Sequence, residues 1–194
     1  MLQFNLRCAR RPLLGATLVL VASCLEAGSC HAQRPMLSEH AVTAQTVAGT
    51  TITVEYYRPQ ARGRDSLFGK VVKWGDHWTP GANWATTLEV DHDVRLDSAP
   101  LPKGRYAVWA FVEPDRWTLE LRRTWHKFHV PPPSDSADVQ LRLEVKPERG
   151  PMTDILTFDF PVVRPGSTTL RFRWGTVVVP LEIEVGDSVP RARS

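Results

Sequence analysis

From residue 50 onward, apolar and polar residues alternate with a period of two almost to the end of the chain. In residues 50–57, "TTITVEYY", Ile52, Val54 and Tyr56 share one face, which predicts a half-buried strand. Residues 85–90 and 93–97 read as short extended pieces. Residues 104–112, "GRYAVWAFV", are apolar on both faces, as a central strand requires. After the turn "EPDR", Trp117, Leu119 and Leu121 alternate with Thr118, Glu120 and Arg122. The pattern returns at Val139, Leu141, Leu143 and Val145, and again at Leu156, Phe158 and Phe160. It closes with Leu170, Phe172 and Trp174, then Val177, Val179, Leu181, Ile183 and Val185. "RWGTV" at 173–177 is short enough for a hairpin between these last two runs.

About nine strands, no run of helical period and prolines concentrated at the joints predict an all-β, single-domain antiparallel sandwich, jelly-roll or Ig-like, over residues 35–187. One-sided alternation in the later strands favours a sandwich over a barrel. Residues 188–194 read as a flexible tail. Residues 58–84 form a long connection without a regular pattern, and long connections inside a compact domain are often functional.

The first 32 residues differ from the rest. Arg7, Arg10 and Arg11 precede a nearly unbroken apolar run over 12–25, followed by the small-residue exit "GSCHAQ". This is the layout of a secretory signal peptide, and its apolar run is shorter than the roughly 20 residues a bilayer core needs. Cleavage after Ala32 would leave Gln33 first. "VASC" at 21–24 also matches a bacterial lipobox, in which Cys24 would carry the lipid and begin the mature protein. Either way the domain is expected to be exported, periplasmic or attached to the cell envelope. The membrane is reached only through the lipid.

The leader changes the rest of the picture. Cys8, Cys24 and Cys30 all lie before Gln33, so thiol nucleophiles, zinc–thiolate sites and iron–sulfur clusters are excluded from the domain. Removing Arg7, Arg10, Arg11 and Glu26 leaves 21 basic and 20 acidic residues, a net charge of +1 in place of +3. That balance gives no support to a nucleic-acid partner.

Candidate chemistry gathers in "KWGDHWTPGANWATT", residues 73–87. His77, beside Asp76 and near Asn83, reads either as a base or ligand in an aromatic pocket or as a packed loop histidine. Trp74, Trp78, Trp84 and Trp125 could make a platform for flat ligands such as sugar rings, or anchor the core. Pro80-Gly81 signals a tight turn, which the Asn83 side chain is placed to cap. Arg62-Gly63-Arg64 reads as an anion grip or as a solvated turn paired with Asp65. The histidines of "WHKFH" at 125–129 and "DHD" at 91–93 have no spacing specific to a metal. No G-x-S-x-G elbow is present. No catalytic residue, metal or cofactor is therefore assigned. The expected function is binding of a small ligand, glycan or envelope protein through residues 58–87, with Arg64, Trp74, His77, Trp78 and Asn83 as contacts. The alternative is an exported hydrolase of envelope polymers or glycans that uses His77 or a nearby carboxylate as base.

The motifs "RGRDSLFGKVVKWGDHWTPGANWATTLEV", "LPKGRYAVWAF", "RWTLEL" and "LRFRWGTVVVPLEI" together resemble the bacterial domain-of-unknown-function family 2911 over roughly residues 40–185. The Trp78…Gly81-Ala82-Asn83 core is its most specific part, and Thr79-Pro80 replaces the Arg and small polar residue often found there. The resemblance implies an exported β-rich protein and brings no reaction or catalytic residue.

Overall fold

The computed structural model describes residues 38–186, so the leader, Cys24 and the 188–194 tail lie outside the described residues. The described residues form an antiparallel β-sandwich of eleven strands and one 3-10 turn. In chain order the strands are β1 (Glu39–Val47), β2 (Thr50–Arg58), β3 (His77–Trp78), β4 (Thr87–Val90), β5 (Val94–Leu96) and β6 (Ala99–Leu101). They continue with β7 (Gly104–Val112), β8 (Trp117–Arg122), β9 (Val139–Val145), β10 (Glu148–Arg164) and β11 (Ser167–Val185). The large sheet runs β1-β2-β4-β7-β8-β9, with β3 joining β7, and the small one runs β10-β11-β5-β6.

The period-two pattern sets the layers. Ile52, Val54 and Tyr56 of β2, Val108 and Val112 of β7 and Leu119 and Leu121 of β8 turn inward. They meet Leu156 and Phe158 of β10 and Phe172, Trp174 and Ile183 of β11 in one buried cluster. Aromatic contacts tie the sheets together. Tyr56 meets Phe158 edge-on at 4.9 Å, and its hydroxyl accepts the Phe158 amide at 3.2 Å. Trp117 lies 5.7 Å from Phe172.

Two sequence expectations are corrected. The hairpin expected at 173–177 is absent, because β11 runs unbroken from Ser167 to Val185 along β10. Gly175, at φ +60°, pairs with Thr153 between two register shifts whose extra residues lie on β10, and it does not reverse the chain. The reversal falls at 165–166, where Arg164 and Ser167 pair.

The long 58–84 connection is also not free of regular structure. Its start is zipped to β10 by a Gln60↔Ile155 bridge and by the Ala61 amide donating to Asp154. Further on, His77 and Trp78 pair with Phe111 and Ala110 of β7. Between these anchors Leu67, Phe68 and Val72 fold into the core. The connection closes one end of the sandwich.

The outer face of the large sheet carries a third layer. The Ala85 amide donates to Lys127, the His129 amide donates to Asn83, and Trp84 bridges Phe128, so a segment after β8 lies along the 83–85 segment. Ala85 joins Ala107 and Trp109 in a second buried cluster. This explains why β7 is apolar on both faces.

Candidate functional site

Adjacent residues of a strand point to opposite faces, and this alone separates two of the five expected contacts. Trp78 turns inward. It stacks on Trp174 at 6.1 Å with an interplanar angle of 18° and meets Phe68, Trp117 and Phe172 edge-on. It is partly buried and packs against the core cluster, where its large apolar area anchors this end of the sandwich.

His77 turns outward, against Phe111 stacked at 4.1 Å and Trp109 at 5.2 Å. Its Nε2 lies 3.3 Å from Glu120 Oε2. Glu120 is 1% exposed, yet it is an ion. Arg122 donates to Oε2 through Nε and Nη2, at 2.9 and 2.6 Å, and Arg142 donates to Oε1 through Nε at 3.0 Å and through Nη2. Burial pushes the Glu120 carboxyl up, but the arginine hydrogen bonds and charges outweigh it and hold the group below the usual range.

At His77 burial pushes the imidazole down. Glu120 pulls it back up, and the Arg122 and Arg142 charges push the same way as burial, leaving it below its ordinary value of 6.5. A histidine kept neutral in the fold takes up a proton more readily when unfolded. Its contribution to stability is therefore present above about pH 6.5 and is lost as pH falls toward the folded value. Urea midpoints at pH 7.5 and pH 5.5 should differ less in His77→Gln than in the parent. An unchanged difference would show that His77 is not held neutral.

Asn83 adopts the left-handed conformation at φ +60°. Its side chain does not cap the Pro80-Gly81 turn but donates to the Ser38 carbonyl at 3.3 Å. Its own carbonyl takes both the amide and the ring Nδ1 of His129, at 2.9 and 2.6 Å. Two threonine hydroxyls stitch the turn instead. Thr79 Oγ1 donates to Val108 O and accepts the Thr86 amide, while Thr86 Oγ1 donates to Pro80 O at 2.8 Å. Arg64 is spent on its own turn: Nε donates to Ala61 O at 2.7 Å and Nη2 to Gln60 O at 2.8 Å. Asp65 makes no ion pair with it, contrary to the pairing expected for that turn.

The platform expected of four tryptophans is divided. Trp84 and Trp125 line a cleft of about 160 Å³ with Glu55, Thr87, Arg105 and His126. There His126 stacks on Trp84 at 4.6 Å, and Arg105 sits 4.3 Å from the Trp125 ring while bonded to Glu55. The rings and charges of this cleft are engaged with one another.

Trp74 is different. It is 46% exposed and lines a cavity of about 270 Å³ at the closed end of the sandwich. Leu67, Phe68, Pro114 and Val177 give the cavity apolar walls, and Asp65, Ser66, Arg149 and Thr176 line it with polar groups. The indole lies against the Gly69 backbone: a Cβ there, at φ +86°, would lie 2.6 Å from Trp74 Nε1. Only glycine permits that approach. From sequence Asp65 reads only as a partner for Arg62-Gly63-Arg64, and Arg149 carries no reading, since a strand-end arginine looks solvated. The signal was their place beside Trp74, which only the fold supplies.

Among the described residues, Arg64, Trp74, His77, Trp78 and Asn83 are not gathered into one of these cavities; of the five, Trp74 lines the cavity at this end. Fold and cavity define a β-sandwich with an aromatic-walled pocket at one end. The match over residues 38–183 to a family described as "Protein of unknown function (DUF2911)" shows that the chain belongs to that family. No curated protein and no solved structure matches the chain.

Proposed function

We propose that this is an exported, non-catalytic domain of the bacterial cell envelope that binds a small ligand or an envelope partner through the Trp74 cavity. The observation that carries the reading is that residues 65–74 supply half of that cavity's lining, including a large exposed indole packed against Gly69. Concave, largely apolar sites with a few polar groups are the usual form of a small-ligand seat. The arginine-led apolar leader supports export, and lipidation at Cys24 is the form of attachment that the lipobox match suggests.

Replacing Trp74 by Ala should abolish saturable ligand-induced changes in tryptophan emission and change the free energy of unfolding by no more than the roughly 0.5 kcal/mol typical of surface sites. A ligand response that survives Trp74→Ala unchanged would sink the assignment. Intact mass of the protein recovered from cells addresses export separately: Gln33 or lipidated Cys24 at the start supports it, and an uncleaved leader opposes it.

The hydrolase reading draws on one observation, the 3.3 Å approach of His77 to Glu120. A carboxylate orienting an imidazole is a general-base arrangement. Here the carboxylate is already taken by two arginines, and Phe111 covers the imidazole ring. A hydrolytic activity lost in His77→Gln and kept in Trp74→Ala would favour this second reading.

A further inference from the structure

Several buried or half-buried charges that face one another in this molecule are paired. Glu55 holds Arg105, Glu120 holds Arg122 and Arg142, and Asp159 holds Arg171 and Arg173. At the Trp74 cavity an acid and a base are not paired. Asp65 and Arg149 both line it, yet they stand farther apart than the 4.0 Å of an ion pair, and neither side chain has a salt-bridge partner among the described residues. The Trp74 indole and the apolar side chains of Leu67, Phe68 and Val177 line the same cavity. A free carboxylate, a free guanidinium and an apolar wall at one small cavity complement a small molecule with an ammonium, a carboxylate and an apolar body.

We propose that the Trp74 cavity binds a small zwitterion with an apolar side chain, a free amino acid or a short peptide, with its ammonium at Asp65 and its carboxylate at Arg149. The inference rests on the Trp74 cavity being the ligand seat and adds the class of ligand. A guanidinium fork matches a carboxylate in two parallel hydrogen bonds, which suits Arg149 to that end. An indole wall contributes area with little conformational freedom to lose. Both charges are solvent-exposed, so each end adds only a modest increment, and specificity comes from needing both ends at once.

The test is a fluorescence titration of the full mature chain with leucine, Leu-Leu, N-acetyl-Leu-Leu and Leu-Leu-amide, repeated on Asp65→Asn, Arg149→Gln and Trp74→Phe. Leucine or Leu-Leu should give a saturable change that Trp74→Phe removes, and the tighter of the two identifies free amino acid or peptide as the source. Blocking either end should weaken binding about fivefold, the scale of one exposed ion pair. Asp65→Asn should erase the effect of acetylation, and Arg149→Gln that of amidation. Equal binding of free and blocked dipeptides that still requires Trp74 would overturn the zwitterion and leave the cavity as the seat. So would a Trp74-dependent response to a neutral chitotetraose with none to the peptides. No response to any of these probes overturns the zwitterion as well, and the Trp74→Ala assignment then rests on its own test.

Discussion

Glu120→Ala is expected to destabilise the protein by about 3 kcal/mol, the lower end of the cost of removing one partner from a buried ion pair. The figure sits at the lower end because the two arginines differ. The Arg122 side chain is 4% exposed and would be left with one backbone partner, the Asp135 carbonyl at 2.6 Å, whereas Arg142 is 56% exposed and can turn to water. Truncation therefore strands one cation rather than two. Replacing both Glu120 and Arg122 by apolar residues of similar volume should recover most of the loss, because a buried pair contributes little net stability while its half-removal is costly. Chemical unfolding of the parent, the single variant and the double variant separates these effects. A Glu120→Ala variant within about 0.5 kcal/mol of the parent, the range of ordinary surface substitutions, would show that the carboxylate is not sealed under the outer layer. The acid limb carries the same information. Glu120 is held below its ordinary value of 4.5, so its share of stability is present above that value and is lost as pH falls further. The variant should lose less stability than the parent between pH 4.5 and pH 3.

Trp78→Ala should cost about 3 kcal/mol as well, by a different route. Truncating a core tryptophan removes about 3–5 kcal/mol through lost burial and the cavity left behind, and Trp78, only partly buried, belongs near the low end. The vacated space would adjoin Trp174, Phe68, Trp117 and Phe172, rings from three other parts of the chain that cannot collapse together without shifting the sheets. Against a typical stability of roughly 5–15 kcal/mol this is a large fraction. Trp78→Phe keeps most of the edge contacts and should cost less. Comparison with Trp74→Ala is the sharper check, since two tryptophans four residues apart should differ severalfold in cost. Similar losses for both would mean that the 73–78 segment does not divide into a wall and a plug.

Most of the architecture was legible because a strand in a two-layer fold writes its burial into alternate positions. β7 was readable to the residue, with apolar side chains on both faces. That same feature held unread information about the site. A central strand apolar on its outer face must be covered there, and the cover also reaches the outward positions of β8. Glu120 and Arg122 looked like solvent-facing residues in "TLELR" and are 1% and 3% exposed. The hairpin at 173–177 misled because a glycine with positive φ serves a turn and a register shift equally well, and only the partner strand decides between them. Within "KWGDHWTPGANWATT" the structural corner was readable but its stitching was not. Asn83 has the chemistry of a turn cap, yet the Thr79 and Thr86 hydroxyls hold the turn while Asn83 reaches Ser38, 45 residues away. Local propensity ranks which side chains could do a job, and long-range packing chooses among them.

The seven tryptophans provide the most direct test of where a ligand sits. Each indole Nε1–H gives its own signal in a proton–nitrogen correlation spectrum, and single Trp→Phe variants assign Trp74, Trp84 and Trp125. Titrating Leu-Leu into the labelled protein, the Trp74 signal should shift with saturation while those of Trp84, Trp125 and the core tryptophans stay in place. A shift confined to Trp84 and Trp125, with Trp74 unmoved, would contradict the assignment of the cavity and move the ligand to the outer face of the large sheet.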